Sequence, residues 1–339
     1  MKKPSAIVKY LNQYVIGQDN AKKTLAVAVY SHFKKIARSR EEAARFAKSN
    51  VLLIGPTGSG KTLMCETLSR ALEVPFVTAE ATSIAQSRYI NDEIEAIMQR
   101  LVERAGGDLG KAQNGIVFID EIDKLKASDD QARSNSGESV QHALLKIMEG
   151  GIVKLAKDQY IDTTNILFIC GGAFVGLEGI ASSSHTYGYI STSKDDNLAI
   201  LGRLNKRVKP TDLFRFGLIP EFAGRLPVTA RFQDLSKELL VRIMTEPTNS
   251  LYNQYRDIFK GEGVELTVEP AVFEQLAELA AEYKTGARSL RGLFEELITP
   301  VLYVIPDDPR IEKVVISSIF AEPRVVRREP PDGKAPSRP

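Results

Sequence analysis

Cysteine and histidine are scarce in this chain of 339 residues, which contains two cysteines and three histidines. Cys65 and Cys170 lie far apart, each in an apolar neighbourhood, which predicts buried free thiols rather than a disulfide or a metal site. His32, His142 and His185 have no spacing typical of metal ligands. Neither residue type therefore indicates a metal centre or a disulfide framework.

Long apolar runs are also missing. No stretch of about 18 apolar residues could span a bilayer, and the N-terminus shows no signal-peptide pattern. We therefore expect a cytoplasmic protein without a membrane anchor. The net charge is +2, with acidic and basic residues interspersed. This balance argues against a dedicated nucleic-acid surface, although a local basic pore would not change the sum.

One segment carries a clear chemical signature: an apolar strand at Val51–Ile54, a glycine-rich loop, and a helix expected over Lys61–Leu72. The loop matches G-x-x-x-x-G-K-[ST] and consists of Gly55, Pro56, Thr57, Gly58, Ser59, Gly60, Lys61 and Thr62. Its glycines let backbone N–H groups face a β-phosphate. Lys61 would reach the β- and γ-phosphates, and the Thr62 hydroxyl would bind Mg²⁺. The pattern predicts an ATP or GTP site.

A second, acidic element follows downstream, where an apolar strand over residues 115–119 ends in Asp120 and Glu121. Asp120 would hold Mg²⁺ through water, and Glu121 would act as general base on the attacking water. Taken alone, the segment could also be a buried strand that happens to end in acidic residues. The Asp-Glu pair favours ATP hydrolysis over slow GTP turnover, and the sequence contains no guanine-reading Asn-Lys-x-Asp segment. We therefore predict a Mg²⁺-dependent ATPase.

Strands and helices alternate through the first two thirds of the chain, as in a parallel sheet covered by helices on both faces. We predict an α/β nucleotide-binding domain over residues 1–230. After Pro227 the pattern becomes mainly helical, with short strands near residues 264–268 and 314–316. Residues 231–320 are therefore expected to form a small, mainly helical α+β domain. The prolines and arginines of residues 321–339 predict a disordered tail.

In order and spacing, these motifs resemble the AAA+ ATPases, and within them the ring-forming protein unfoldases of the Clp/Hsp100 group. Further matching strings lie at residues 14–18, 168–174, 216–227 and 285–288. The resemblance extends over residues 4–316. It implies the P-loop AAA+ fold, ATP and Mg²⁺ as cofactors, a homo-hexameric ring and protein substrates. It also implies a Clp-type peptidase as a partner that receives the unfolded chain.

The resemblance assigns roles to four residues outside the two phosphate motifs. Val15 and Ile16 would line the adenine pocket. Arg225 would be the arginine finger that completes the site of the neighbouring subunit, and Arg288 the sensor 2 arginine that reaches the phosphates from the small domain of the same chain. Cations in these places would stabilise the negative charge of phosphoryl transfer. Each arginine taken alone could be an ordinary surface charge.

The segment that grips the substrate polypeptide in this group is an aromatic-aliphatic pair flanked by glycines. The corresponding residues here are Tyr89 and Ile90, flanked by Arg88 and Asn91. A ring of tyrosines could still press on a polypeptide through non-directional apolar contact. Without the glycines we expect a stiffer and more polar loop. The alternative is that Tyr89 only packs locally.

Two other loops and one domain depart from the pattern of the group. The basic Arg-Lys-His loop has no counterpart in the short segment 150–162. The protease-docking loop aligns with Tyr187, Gly188 and Tyr189, whose hydroxyls lower the gain from burial in an apolar cleft. The chain starts at the nucleotide domain without a cysteine cluster, so we expect no N-terminal zinc-binding domain. A shortened version of a longer protein and a naturally short paralogue both fit.

Protein unfolding driven by ATP hydrolysis, with delivery to a Clp-type protease, is the function that the resemblance implies. One alternative is protein remodelling without a protease. A nucleic-acid motor of the same superfamily is poorly supported by the near-neutral charge. A nucleotide-binding scaffold without hydrolysis is disfavoured because the residues needed for turnover are all present, namely Lys61, Asp120, Glu121, Arg225 and Arg288.

Overall fold

The computed structural model describes residues 2–37, 48, 50–126, 131–183, 208–283 and 285–328. The chain divides into two compact units. The first comprises Met1–Leu11 and Gln18–Gln233, and the second comprises Asn12–Gly17 and Asp234–Pro339. The chain therefore crosses between the units at three places, which follow Leu11, Gly17 and Gln233.

The short segment 12–17 belongs to the second unit, whereas the sequence prediction placed it in the first domain. The Thr248 N–H donates to the Gln13 carbonyl at 3.1 Å. Gly17, with φ of +67°, lies beside the Leu239 side chain. These contacts are made with residues far along the chain, so local patterns could not predict them.

Ten helices and seven strands make up the described part of the first unit. The helices are α1 (Pro4–Leu11), α2 (Asp19–Ile36), α3 (Lys61–Leu72), α4 (Ala81–Gln86), α5 (Ile90–Arg104), α6 (Leu109–Ala112), α7 (Gln131–Glu149), α8 (Leu177–Ser183), α9 (Pro210–Phe216) and α10 (Pro220–Gly224). The strands are β1 (Val51–Ile54), β2 (Phe76–Glu80), β3 (Ile116–Asp120), β4 (Ile152–Lys154), β5 (Tyr160–Asp162), β6 (Leu167–Gly172) and β7 (Val228–Arg231).

Within the described residues, five of these strands form a parallel sheet of order β2-β3-β6-β1-β7. Every residue of β1 and β6 is buried, as expected for strands covered on both faces. Because all five strands run in one direction, the loops that follow them all emerge at the carboxyl ends of the strands. The predicted α/β class is confirmed.

Helix α5 shows how the sequence pattern produces the packing of this unit. Five of its apolar residues recur at helical spacing and are buried: Ile94, Ile97, Met98, Leu101 and Val102. Burial of each such side chain contributes about 1.5–3 kcal/mol. The opposite face is polar. This amphipathic helix precedes β3 and fits the predicted alternation of strands and helices.

The second unit is built from four helices and three strands among the described residues. The helices are α11 (Lys237–Thr245), α12 (Leu251–Gly261), α13 (Pro270–Glu282) and α14 (Leu290–Val304), and the strands are β8 (Glu265–Val268), β9 (Ile311–Ile316) and β10 (Arg324–Arg327). Ser236 and Ser250 cap α11 and α12 through their side-chain oxygens. In the core, the rings of Phe273 and Phe294 stack with centroids 6.2 Å apart.

Strand β10 corrects the prediction of a disordered tail from residue 321. It pairs antiparallel with β9, and its side chains Val325 and Val326 are half-buried. Arg327 adds an ion pair to Asp308 at 2.8 Å. The proline content suggested disorder, but two adjacent valines next to an open strand edge can extend a sheet. Residues 329–339 lie outside the described part.

No helix among the described residues combines the length and the apolar character needed to cross a membrane.

A buried histidine and a nearby lysine lie at the end of the sheet where β6 begins. The Nε2 atom of His32, a residue 6% exposed, is 2.9 Å from the Asn165 carbonyl oxygen. Burial lowers the pKa of His32 to about 4, and the charge of Lys48 lowers it further, while the Asn165 bond opposes the shift. The Lys48 ammonium donates to the Thr163 carbonyl at 2.7 Å. Burial lowers the pKa of Lys48 to about 7, against the attraction of Asp162.

The His32 pKa predicts a loss of stability in acid. Folding favours the neutral ring, so its contribution is fully present above pH 6.5 and is lost as the pH falls towards 4. The shift from 6.5 corresponds to about 3 kcal/mol. Glutamine cannot be protonated in this range, so His32→Gln should lose less unfolding free energy than wild type between pH 6.5 and 4. Urea unfolding at several pH values measures this.

The matched control is His142→Gln, because His142 is exposed on α7. It should follow the wild-type pH dependence. Parallel curves for His32→Gln and wild type would show that His32 is not the titrating group.

Candidate active site

The phosphate loop connects β1 to α3, and its glycines are required by geometry. Gly58 and Gly60 have φ of +78° and +93°, which other residues rarely adopt. Gly55 lies against Phe232 so closely that a Cβ atom would come within 2.5 Å of the Phe232 Cβ. The Gly55 N–H donates to the Gly172 carbonyl at 3.1 Å. The loop is therefore fixed at its start and turns sharply into the N-terminus of α3.

Lys61, the first residue of α3, folds its side chain back over the loop. Its ammonium donates to the carbonyls of Gly55 at 2.7 Å and Pro56 at 2.9 Å. The residue is only 7% exposed. The positive end of the α3 dipole lies at the same place, so an anion bound in this loop meets two sources of positive potential.

Thr62 and Asp120 bring two side-chain oxygens together. Asp120 ends β3, and the Thr62 hydroxyl donates to its Oδ2 at 3.4 Å. Mg²⁺ prefers hydroxyl, carboxylate and water oxygens. A hydroxyl that binds the ion directly and a neighbouring carboxylate that accepts from one of the ion's waters fit the same site. Sequence reasoning predicted both residues, and the structure brings them together.

Glu121 stands next to Asp120 in an unusual backbone conformation. Its φ is +61°, in the left-handed region, where a residue other than glycine costs free energy. Its N–H donates to Asp120 Oδ1 at 2.8 Å, and its carboxylate accepts a hydrogen bond from the Thr82 hydroxyl at 2.7 Å. The side chain of the candidate base is thereby oriented from a neighbouring element.

Thr82 was missed by sequence reasoning, although a signal existed. In the sheet, Glu80 pairs with Asp120, so the residues just after β2 and β3 must be neighbours. The Thr82 hydroxyl, two positions after Glu80, can then reach the Glu121 carboxylate, one position after Asp120. The strand pairing that makes this visible is not encoded locally.

Asp123 was also missed. It is 5% exposed, and its carboxylate accepts hydrogen bonds from the N–H groups of Ala173 and Phe174, both at 3.3 Å. Gly172 passes so close that a Cβ atom would lie 2.5 Å from the Asp123 Oδ1. Asp123 therefore holds the turn after β6, which lies between the phosphate loop and the acidic pair.

The two cysteines are free and buried, as predicted. Burial raises the pKa of the Cys65 thiol, and the negative charge of Asp120 raises it further. Burial also raises the pKa of Cys170. Thiols of this kind are inert, so they belong to the packing and not to the chemistry.

Arg225 lies at the amino ends of the strands, whereas the phosphate loop lies at their carboxyl ends. It directly follows α10 and precedes β7, whose first residue pairs with Val51. Its carbonyl accepts a hydrogen bond from Asn50, the residue in front of β1, at 3.2 Å. Its guanidinium forms an ion pair with Glu149 at 2.6 Å. The whole of β1 therefore separates Arg225 from Gly55.

Tyr89 and Ile90 lie at the start of α5 and differ in exposure. Tyr89 is 59% exposed, and the Arg88 guanidinium lies over its ring, 5.6 Å from the centroid. Ile90 is half-buried and packs against the apolar core of the first unit. Only three residues connect α4 to α5, which agrees with the expectation of a stiff loop.

Comparison with known proteins shows similarity along both units. A family model described as AAA domain (Cdc48 subfamily) matches residues 47–229, and one described as the C-terminal, D2-small domain of ClpB protein matches residues 235–314. The chain is 41% identical to the ATP-dependent Clp protease ATP-binding subunit ClpX 3 of Methylococcus capsulatus, over 98% of this chain and 81% of that protein. It is 42% identical to the ClpX subunits of Borrelia duttonii and Borrelia recurrentis, over 93% of this chain and 77% of each.

The chain belongs to the ClpX family of AAA+ ATPases. The predicted resemblance to the Clp/Hsp100 group is confirmed, and so is the prediction of an ATPase. As expected for this family, the first unit carries the parallel sheet and the phosphate loop.

The remaining predicted residues of the ClpX-type site belong to the second unit or lie outside the described residues. Val15 and Ile16 are buried, and Arg288 is exposed at the end of the short turn Gly286–Arg288. Their approach to the nucleotide stays a prediction. Tyr187, Gly188 and Tyr189 lie outside the described residues.

The Thr82 contact generates a prediction for turnover. Thr82→Val keeps the shape of the side chain but removes the hydroxyl that orients Glu121. We expect kcat for ATP hydrolysis to fall about tenfold, a fraction of the effect of a general base. The Kd for ATP should not change, because Thr82 does not touch the phosphate loop. Steady-state ATPase assays and equilibrium nucleotide binding measure the two quantities.

Thr82→Ser should restore most of the turnover, since it restores the donor. Ser83→Ala is the matched control, because the Ser83 hydroxyl donates to Glu80, at 3.4 Å, and not to Glu121. If Thr82→Val turned over ATP at the wild-type rate, the contact would have no part in orienting the base.

Proposed function

We propose that this chain is an ATP-driven protein unfoldase that assembles as a ring, pulls polypeptides through a central pore and delivers them to a Clp-type peptidase. The observation that carries the proposal is the likeness of nearly the whole chain to the ATP-binding subunits of ATP-dependent Clp proteases. The assembled phosphate loop and acidic pair support it, because they give the chain the means to hydrolyse ATP.

Within one subunit, the phosphate loop would hold the β- and γ-phosphates through its N–H groups and Lys61. Thr62 would bind Mg²⁺ directly and Asp120 through water. The ion would offset the phosphate charge and orient the γ-phosphoryl group. Glu121 would accept the proton of the attacking water. Val15 and Ile16 would contact adenine, and Arg288 the phosphates.

Arg225 is proposed to act on the neighbouring subunit. β1 contains four residues, so the distance from Asn50 to Gly55 is about 16 Å at 3.3 Å per residue. An arginine side chain anchored beside Asn50 cannot cover that distance to its own phosphate loop. It can reach a phosphate only if a second copy of the chain places its phosphate loop next to the amino ends of these strands. This geometry supports a ring, and the family resemblance sets the proposed number of subunits at six.

Tyr89 is proposed to grip the substrate. Its ring is exposed and offers apolar contact to any polypeptide, whereas Ile90 is engaged in the core. We therefore assign the gripping role to Tyr89, with Ile90 anchoring the loop. The Arg88 guanidinium over the ring limits its motion and adds positive charge next to it.

Protein remodelling without a peptidase stays the second candidate. The docking tripeptide at Tyr187–Tyr189 carries hydroxyls that weaken burial in an apolar cleft, which favours a changed or missing peptidase contact. A nucleic-acid motor has less support, because the charge of the chain is nearly balanced. A cytoplasmic location is proposed from the likeness to the ClpX subunits.

Arg225 yields a test of assembly. Arg225→Ala should bind ATP with unchanged affinity but lose about a thousandfold or more in turnover, as for other arginine fingers. Mixing it with wild-type subunits should lower ATPase activity by more than the diluted fraction, because each mutant subunit also disables its neighbour.

The control is Arg215→Ala, which removes an exposed arginine of α9. It should leave mixed rings active in proportion to their composition. A loss strictly proportional to the fraction of Arg225→Ala would exclude action in trans.

Tyr89 yields the test of unfolding itself. Tyr89→Ala should leave nucleotide binding and hydrolysis near wild-type values, since the residue lies away from the phosphate loop. It should abolish unfolding of a stably folded, tagged fluorescent protein, because the ring must pull against several kcal/mol of stability. The loss of fluorescence, recorded beside the ATPase rate, measures the coupling.

Tyr89→Phe should unfold the substrate normally, because it retains the apolar ring. Equal unfolding by Tyr89→Ala and wild type would remove this residue from the mechanism. ATP hydrolysis without unfolding by the wild-type protein, across several tags, would favour the remodelling or motor alternatives.

A further inference from the structure

Gln18 is a polar residue placed where the chain re-enters the first unit after segment 12–17. It is only 9% exposed, and its φ is +59°, in the left-handed region. A glutamine in this conformation is strained, and such strain persists where surrounding contacts fix the residue. Its backbone carbonyl accepts the Lys22 N–H at 3.0 Å at the start of α2.

The side-chain amide of Gln18 pairs with the backbone of Gln233 on both sides. Its Nε2 donates to the Gln233 carbonyl at 2.8 Å, and its Oε1 accepts from the Gln233 N–H at 2.9 Å. Gln233 is the last residue of the first unit before the chain leaves it for the last time. One side chain therefore fastens two of the three crossings to each other.

The same amide touches the phosphate loop. Gln18 Nε2 lies 3.5 Å from the Ser59 carbonyl, and Ser59 is buried. The residue before Gln233 contacts the other end of the loop, since the Phe232 N–H donates to Ile54 at 2.7 Å and Phe232 covers Gly55. The loop is thus bound at both ends to the chain that leads into the second unit.

We propose that Gln18 is a positioning residue that couples the phosphate loop to these two crossings. Nucleotide binding fixes the loop, and the loop fixes the crossings through the Gln18 amide. Only an amide can donate to Ser59 and Gln233 while accepting from Gln233. The proposal rests on the proposed nucleotide site but not on protein unfolding or on any partner.

Gln18→Glu is the sharpest variant, because it keeps the size and the acceptor but replaces the donor with a second acceptor facing two carbonyls. Gln18→Met removes all three hydrogen bonds of the amide without adding charge, and serves if the charged variant folds poorly. Gln233→Glu is the matched control. It makes the same chemical change at an exposed side chain whose backbone alone forms the contact.

The test is hydrogen exchange of the full chain, with and without a non-hydrolysable ATP analogue and Mg²⁺. In wild type and Gln233→Glu, the nucleotide should protect peptides covering residues 55–62 and 232–236. Residues 12–17 do not report on the coupling, because Val15 and Ile16 are proposed to contact adenine directly. In Gln18→Glu and Gln18→Met, protection of the loop should remain while protection of residues 232–236 falls by at least half. The Kd for the analogue should change by less than about threefold, while kcat for ATP falls about tenfold.

Four outcomes would overturn the proposal. Equal protection of residues 232–236 in wild type and both Gln18 variants would show that coupling does not pass through this amide. Loop protection and affinity lost together with the crossing signal would reduce Gln18 to a structural role. If the wild-type loop showed no protection at all, the proposed nucleotide site would fail, and the coupling with it. Loop protection without crossing protection in wild type overturns the coupling alone.

Discussion

The parallel register of β1, β6 and β3 is the constraint on which the site depends. β6 lies between the two strands that carry the phosphate loop and the acidic pair, so their chemistry meets across the turn that follows β6. Such a crevice beyond the carboxyl ends of parallel strands is where α/β sheets bind ligands. Here it places the Thr62 hydroxyl and the Asp120 carboxylate 3.4 Å apart. A slip of one residue in this register would turn these side chains to opposite faces.

Glycine residues, which have no side chain, make that register possible. At Gly55, Gly171 and Gly172 an added Cβ atom would lie within 2.8 Å of Phe232, Phe118 or Asp123. These positions let the loops after β1 and β6 come close enough for Asp123 to hold the turn and for Phe232 to cover the loop. The glycines thus act through close approach, whereas Gly58 and Gly60 act through their positive φ.

The sequence predicted what is local, and missed what depends on strand order. The loop, the acidic pair, α3 and α5 were predictable because spacing and periodicity encode them. Thr82, Asp123 and Gln18 were not, since each acts through contacts with residues at least 39 positions away. Strand β10 was missed for the same reason, because its stability comes from the edge of β9 and not from its own composition.

A parallel sheet has two chemically different ends, and in the proposed function the hydrolytic site uses both of them. The phosphate loop, Lys61 and the acidic pair lie at the carboxyl ends of the strands. Arg225 lies at their amino ends, where it pairs with Glu149 and is about half exposed. An exposed ion pair contributes little to stability, so exchanging the Glu149 carboxylate for a phosphate costs little. The Glu149 ion pair therefore holds the Arg225 guanidinium in the single subunit at low cost, which fits the proposal that a second copy supplies the phosphate.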